Sequence, residues 1–434
     1  MLTRKNFFSI ALLSFGIFFG AGNLMFPPAV AQAAGNHTWL AFLGFFITAV
    51  ALPVLGIIAV AKTDGLLNLG KRVDPVFAYI VTIGILIAIG PGLAIPRTAT
   101  TSFQMALAPY LSDNQIGPGL MVYSLVFFLL VTAVAWSPNK IVDRIGKLTT
   151  PALLLLIFVM TLLVMAGPKA QITQASGAYQ TRPVVEGFLA GYNTLDALAG
   201  LNYGLLIVTA LRTYKISEKK VVSLATKAGL VAGFVLTLVY ICLTLIGQVG
   251  ASLAPEGANG ADILVYASQS ILGQWGGGLF GIIFVLACFN TCVGLVTSIS
   301  QFFSQILPWF SYRTYVVILA IWSFILANFG LDGILAYSVP ILVLLYPIGI
   351  TLILLILTEP YLHHNRLAYQ VTAYVVSFIS VISSLQSMGI HLPVLTSLVD
   401  RLPFAHAGLA WVVPAFISMA VFTGINLSKQ SSHA

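Results

Sequence analysis

Charge is scarce in this chain: Asp, Glu, Lys and Arg make up 7% of 434 residues, and only 12 residues are acidic. A water-soluble domain uses roughly 25% charged residues to cover its surface, so a soluble globular protein is excluded. Cysteine is nearly absent as well. Cys242, Cys288 and Cys292 all fall inside apolar runs, which rules out a disulfide framework. Cys288 and Cys292 share a helix face at i, i+4, but without neighbouring His or acidic residues they make a poor metal site and read as packing residues. The chain has no nucleotide-binding loop, no zinc-ligand cluster and no long soluble region. Nucleotide-driven pumping would need another subunit, and enzymatic chemistry has no evident seat.

What is present is hydrophobic sequence, 59% of the chain. Runs long enough to cross a hydrocarbon core, about 20 residues each, fall near 7–33, 38–61, 76–108, 118–136, 149–166, 185–211, 228–249, 276–306, 314–329, 333–357, 368–387 and 409–427. This layout predicts an all-α integral membrane protein of about twelve spans, in contact with the lipid bilayer. Positive residues including Arg4, Lys5, Lys62, Lys71, Arg72, Lys140, Arg144, Arg212, Lys215, Lys219, Arg313, Arg366 and Lys429 lie on one side of it. Lys169, Arg182 and Arg401 lie on the other. Positive residues stay cytoplasmic, so both termini are expected inside. The net charge of +8 is topology, with no nucleic acid implied. The basic start and apolar run Phe7 to Phe19 also fit a cleaved leader. Removing them would leave an odd number of spans and discard a glycine break and the Pro27-Pro28 pair, so we read a first span.

Two spans are interrupted by small and polar residues: Gly20-Ala21-Gly22-Asn23 in the first, and Tyr192-Asn193-Thr194-Leu195-Asp196 in the sixth. Unwound backbone is tolerated at membrane depth only where it lines a cavity, and a pair of such breaks points to the solute site of a secondary transporter. Spans one to five (about 7–166) and six to ten (about 185–357) then form two halves of one unit. An odd number of spans per half inverts the second half relative to the first, giving a five-plus-five inverted repeat followed by two further helices at about 368–427. Between spans seven and eight, residues 250–275 predict a short amphipathic helix capped by Asp262, with Ile263, Tyr266, Ala267 and Ser270 on one face. It is either a lid over an outer vestibule or a helix at the lipid boundary.

Asp196 carries the most information of any single residue. A carboxylate in mid-span costs at least ~2.5–3.5 kcal/mol, so it needs a cation, a proton or a wet cavity. Asn193 and Thr194 beside it offer oxygens of the kind hard cations prefer. Gly20 and Gly22 free the backbone to face a ligand, and Asn23 with Pro27-Pro28 fits a helix that stops and restarts. Arg97, flanked by Pro91, Pro96, Gly90 and Gly92, sits in a distorted third span as a gate or a structural pin. In span eight, Asn290, Thr291, Thr297 and Ser298 place oxygens in an apolar helix, where hydroxyls often bond their own i−4 carbonyl.

The stretches FGAGNLMFPP (19–28), GPGLAIPRTATTSF (90–103), GYNTLDALAGLNYG (191–204), LACFNTCVGLVTS (286–298) and RLPFAHAGLAW (401–411) resemble signatures of the bacterial branched-chain amino acid:cation symporters of the liv-II type. The resemblance runs over essentially the whole chain. That family is similar in turn to the neurotransmitter:sodium symporters, whose inverted-repeat fold it implies here.

By that likeness Asn23 and Thr194 match ligands of one sodium ion. Gly16 and Phe19, with Ala287, Asn290 and Thr291, match the second. Asn290 departs from the pattern by replacing a hydroxyl, and a shifted match through Gly294, Thr297 and Ser298 stays open. The resemblance implies import of leucine, isoleucine and valine across a bacterial inner membrane, with Na+ as coupling ion and H+ at Asp196 as the alternative. No obligatory protein partner and no nucleotide is implied. Amides of Gly20, Ala21, Gly22 and Asn23 would hold the substrate carboxylate, and carbonyls near Tyr192 and Asn193 its ammonium. Asp196 falls where relatives often have a serine close to the substrate, which places it among the substrate-binding residues with its role open.

Overall fold

A computed structural model describes residues 2–138, 142–167, 171–255, 258–362 and 365–431. Lys140 and Lys169 lie outside them, as do the side chains of Arg144, Lys219 and Lys429. The first broken span is α1 (Arg4–Phe18) and α2 (Ala21–Ala34), followed by α3 (Thr38–Phe46) and α4 (Leu52–Thr63), joined by a wide π-helical turn. Then come α5 (Leu66–Lys71), α6 (Pro75–Ile87), α7 (Ala94–Ala106), α8 (Asp113–Ala135) and α9 (Thr150–Ala166). The second half holds α10 (Pro183–Tyr192), α11 (Asp196–Arg212), α12 (Glu218–Ala251), α13 (Gly260–Leu272), α14 (Gln274–Ile306), α15 (Tyr312–Ala327) and α16 (Gly330–Leu357). The chain closes with α17 (Glu359–Leu362), α18 (Arg366–Ser387), α19 (Pro393–Asp400) and α20 (Val412–Ser431).

Among the described residues, eight helices are long and apolar enough to cross a membrane, and the pair α10 and α11, bent by 46°, makes a ninth. The difference from twelve has physical causes. The chain from Ala21 to Thr63 runs on as one helical stretch, so the second half of span one merges with span two. The helices α15 and α20 are apolar but short, and α1 is a half-helix of 15 residues.

Both predicted breaks are present. Gly20 adopts an extended conformation between α1 and α2, and Leu195 takes a left-handed one, φ 67°, between α10 and α11. The first helix restarts at Ala21, with Pro27 and Pro28 inside α2 rather than at its start. The distortion beside Arg97 is a π-helical turn over Ala88–Gly92, where Gly90 leaves helical geometry. Pro91 lacks the N–H that would continue the helix.

The halves interlock closely. A Cβ on Gly44 of α3 would stand 1.9 Å from the Val184 carbonyl oxygen, and one on Gly187 of α10 would stand 1.9 Å from that of Ala41. Only glycine lets these two helices touch backbone to backbone. Arg212 bridges Asp64 and Glu218 at 2.8 Å each, and Arg72 pairs with Glu359 at 3.3 Å, so the predicted basic face assembles at one end of the bundle. Glu218 is held below its usual range by the Arg212 guanidinium. At the opposite end Arg182 pairs with Glu186 at 2.7 Å and donates to the His406 carbonyl. Outward side chains such as Val122, Leu129, Phe158, Phe234, Ile321 and Phe378 are exposed and apolar, a surface suited to acyl chains.

The predicted helix between spans seven and eight is α13, and its N-cap is Asn259, whose side chain accepts from the amides of Ala261 and Asp262. Asp262 sits inside the first turn and accepts from the Asn259 side chain at 2.8 Å. Its buried face is Ile263, Leu264, Ala267 and Ser268, whereas Tyr266 and Ser270 point outward. It packs on α2, α12 and α14, so it covers protein rather than lying on lipid alone.

Candidate functional site

The two breaks meet. Asn23, the third residue of α2, accepts the Gly20 N–H through Oδ1 at 3.0 Å, closing the exposed start of that helix. Its Nδ2 then points across the break and donates to Asp196 Oδ2 and to the Tyr240 hydroxyl, 2.5 Å each. Tyr240, from α12, donates in turn to the same Asp196 oxygen at 2.9 Å. The amide orientation is fixed chemically, because a flipped Asn23 would set its oxygen against the carboxylate. Asp196 is 1% exposed, Asn23 2% and Tyr240 fully buried. A buried carboxylate held this way needs every bond it receives.

Thr194 donates to the Gly191 carbonyl at 2.8 Å and accepts the Asp196 N–H at 3.3 Å. It organises the second break in the manner of a helix cap. Leu195, Asp196, Gly20, Ala21, Gly22, Asn23 and Thr194 border one small cavity of about 20 Å³, closed on its other sides by Ile17, Phe18, Ile89, Leu295 and Thr291. That is room for about one water.

Arg97 enters the same cavity. Its Nη1 donates to the Asn193 carbonyl at 2.9 Å, and Nη2 lies 2.8 Å from where a Cβ on Gly22 would stand. The guanidinium is 6.0 Å from the Phe26 ring centroid. Tyr192 stacks on Tyr346 of α16 with ring centroids 4.2 Å apart. Tyr192 and Asn193 border a separate cavity of about 240 Å³ against α16 and α18.

A second set of oxygens lies at the end of α1. The last carbonyls of a helix have no intrahelical donor, and beyond Phe15, whose oxygen takes the Phe19 N–H at 2.9 Å, these are Gly16 to Phe18. Gly16 abuts the Thr150 hydroxyl, 2.1 Å from a built Cβ, and Gly20 abuts the Thr291 hydroxyl at 2.8 Å. Both hydroxyls are buried without a hydrogen-bond partner among the described residues. Phe19 stacks on Phe15 and Ala287 is fully buried. Asn290 turns toward the start of α9, where its Oδ1 accepts at 2.7 Å from Thr149, the residue before that helix. Of the shifted set, Ser298 accepts from Asn202 at 2.7 Å and Gly294 packs on Ile17.

Sequence reasoning passed over Tyr240 and Thr150. Each is a single hydroxyl in or beside an apolar run, and nothing in the periodicity separates it from a packing residue. Toward the basic end a cavity of about 370 Å³ is lined by Asp64, Asn68, Asn202, Ser298, Gln301 and Tyr312 among others. The Asn202 to Ser298 bond spans α11 and α14 at its boundary. Among the described residues no group of three His, Cys, Asp or Glu side chains converges on a metal position, and Cys288 and Cys292 are buried packing residues.

Residues 3–429 match the model of the family described as "Branched-chain amino acid transport protein". The chain belongs to that family. It is therefore a transporter and not an enzyme. Family relatives include the branched-chain amino acid permease BraB of Bacillus subtilis, 35% identical over 97% of this chain and 95% of that one. The branched-chain amino acid transport system 2 carrier protein of Pseudomonas aeruginosa is 36% identical over 97% and 96%. BrnQ of Escherichia coli is 35% identical over 97% and 95%. In fold, the family member is similar to MhsT in complex with L-phenylalanine, TM-score 0.58 at 14% identity over 98% of both chains. It is also similar to a Na+-coupled sialic acid symporter, TM-score 0.62 at 13% identity over 96% and 89%. The all-helical inverted-repeat fold with broken first and sixth spans is thus that of these transporters.

Proposed function

We propose that this protein is a secondary active symporter that imports leucine, isoleucine and valine, coupled to Na+ by alternating access, in a bacterial inner membrane with both termini cytoplasmic. One observation carries the reading: two broken helices, one from each half, meet at a buried cavity where the N-termini of α2 and α11 converge with Asp196. Helix N-termini attract a carboxylate, and Ile17, Phe18, Ile89 and Leu295 offer an apolar wall to a branched side chain. The names of the 33–36% identical relatives agree with that substrate class.

For the coupling ion, the unpartnered Thr150 and Thr291 hydroxyls beside the free carbonyls at the end of α1 support a hard-cation site there. The stacked tyrosines on one side and the Asn202 to Ser298 bond on the other support a site flanked by two barriers, with repeats of about 7–166 and 185–357 moving past each other. A neutral zwitterion carried with one Na+ moves one charge, worth ~2.3 kcal/mol per 100 mV. At about 1.36 kcal/mol per tenfold, that supports about 50-fold accumulation.

Leucine uptake into proteoliposomes given only a sodium gradient or only a pH gradient tests this. Sodium alone should suffice. Uptake driven by pH alone and indifferent to sodium would move coupling to a proton on Asp196.

A further inference from the structure

The site holds an arginine and an aspartate that form no salt bridge with each other. Arg97 is 4% exposed and Asp196 1%, and both border the same cavity. Yet among the described residues no carboxylate lies within 4.0 Å of the guanidinium. Arg97 spends one N–H on the Asn193 carbonyl and aims the other arm at Gly22, where the amides at the start of α2 add further positive potential. A guanidinium has five donors in a planar fork, so most of this donor set has no anion to bind. Across the cavity, Asp196 receives bonds from Asn23 and Tyr240 on a single oxygen, Oδ2.

We infer that Arg97 and Asp196 are the two arms of a zwitterion clamp: the Arg97 fork together with the Gly22 region of α2 takes the substrate's α-carboxylate, and Asp196 takes its α-ammonium. This rests on the proposed amino acid transport and changes how the substrate is read. The Asn193 carbonyl, which the broken-helix pattern would assign to the ammonium, already accepts from Arg97. Asp196 is the acidic side chain of the cavity and so the stronger partner for the ammonium. Arg97 becomes a substrate-binding residue rather than a gate. Unpaired opposite charges in one buried cavity also select for a ligand of no net charge, since an amine or an acid alone leaves one arm uncompensated. With room for about one water, the cavity has to widen around the ligand.

The test is displacement of radiolabelled leucine from the purified full-length protein by leucinamide, which lacks the carboxylate, and by 4-methylpentanoate, which lacks the ammonium. Wild type should prefer leucine to both. In Arg97→Gln the preference over leucinamide should fall tenfold or more while the preference over 4-methylpentanoate stays. In Asp196→Asn the reverse should hold. Arg97→Lys keeps the buried charge and should retain part of the selectivity, which covers a failure of Arg97→Gln to fold. Equal weakening toward all three ligands in the Arg97 variants would overturn the clamp and return Arg97 to a structural or gating role. Wild-type protein that binds leucine, isoleucine and valine not at all would sink the transport reading itself, and the clamp with it.

Discussion

The amide of Asn23 donates to the carboxylate of Asp196 across 173 residues of sequence, tying the break of the first span to the break of the sixth. One residue thereby serves two helices, capping α2 with its oxygen and holding α11 with its nitrogen. The carboxylate of Asp196 is held by side chains from two other helices, Asn23 of α2 and Tyr240 of α12.

Replacing that carboxylate isolates its charge. Asp196→Asn changes volume little and leaves Tyr240 an oxygen to donate to, so the protein should stay monodisperse in detergent while gradient-driven leucine uptake is lost. Uptake at the wild-type rate would reduce Asp196 to a residue that only braces the break.

Tyr240→Phe removes one donor from the same oxygen. Hydrogen bonds to charged groups contribute ~1.5–3 kcal/mol, so the variant should melt at a lower temperature and need about tenfold more leucine for half-maximal uptake. It should still transport, because Asn23 remains. Unchanged melting and unchanged uptake would place the Tyr240 hydroxyl outside the working network.

The two breaks and the buried carboxylate of Asp196 were legible in sequence because each is an exception to an apolar background: a glycine run, a cluster of polar residues or an acid where none belongs. Tyr240 and Thr150 were not, because a lone hydroxyl in a membrane helix commonly bonds its own backbone. Arg97 was visible as a buried cation, but its reach to the Asn193 carbonyl depends on how α7 crosses α2. Asn290 was legible as an amide in an apolar span, but its bond to Thr149 depends on how α14 packs against the chain entering α9. On α13, Asp262 was legible as an N-terminal signal, but Asn259 three residues earlier does the capping.

The close docking of α13 on α2 gives a sharp steric test. A Cβ on Gly260 would stand 1.6 Å from the Met25 carbonyl oxygen, and backbone cannot yield as a flexible side chain can. Overpacking of this kind costs about 1–3 kcal/mol. Gly260→Ala should lower the melting temperature and slow uptake, with faster hydrogen exchange over 260–272. Normal exchange there would mean that α13 does not depend on this contact.

The clustering of Arg72 and Arg212 at one end of the bundle makes that end the expected cytoplasmic side. In a background without the native cysteines, Ser252→Cys should react with an impermeant maleimide in intact cells and Thr213→Cys should be spared until the membrane is opened. The opposite pattern would invert the topology.

Thr291 tests where the coupling ion sits. Its hydroxyl is buried without a partner and faces Gly20 at the end of α1, beside carbonyls that the helix break leaves free. Thr291→Val keeps the shape and removes the oxygen, so apparent sodium affinity should weaken about tenfold or more, the consequence of losing ~1.5–3 kcal/mol of interaction with a charged group. Uptake at saturating sodium should largely recover, which separates an ion ligand from a packing residue. Thr150→Val should behave alike, because its hydroxyl faces the same half-helix at Gly16. Thr297 is the control: its hydroxyl is also buried, but it lies near the Tyr312 hydroxyl, almost two turns further along α14 and next to Ser298, which is bonded to Asn202. Sodium dependence that collapses in Thr297→Val and survives in Thr291→Val would move the ion toward the Asn202 end of α14 and leave Thr291 lining a helix interface.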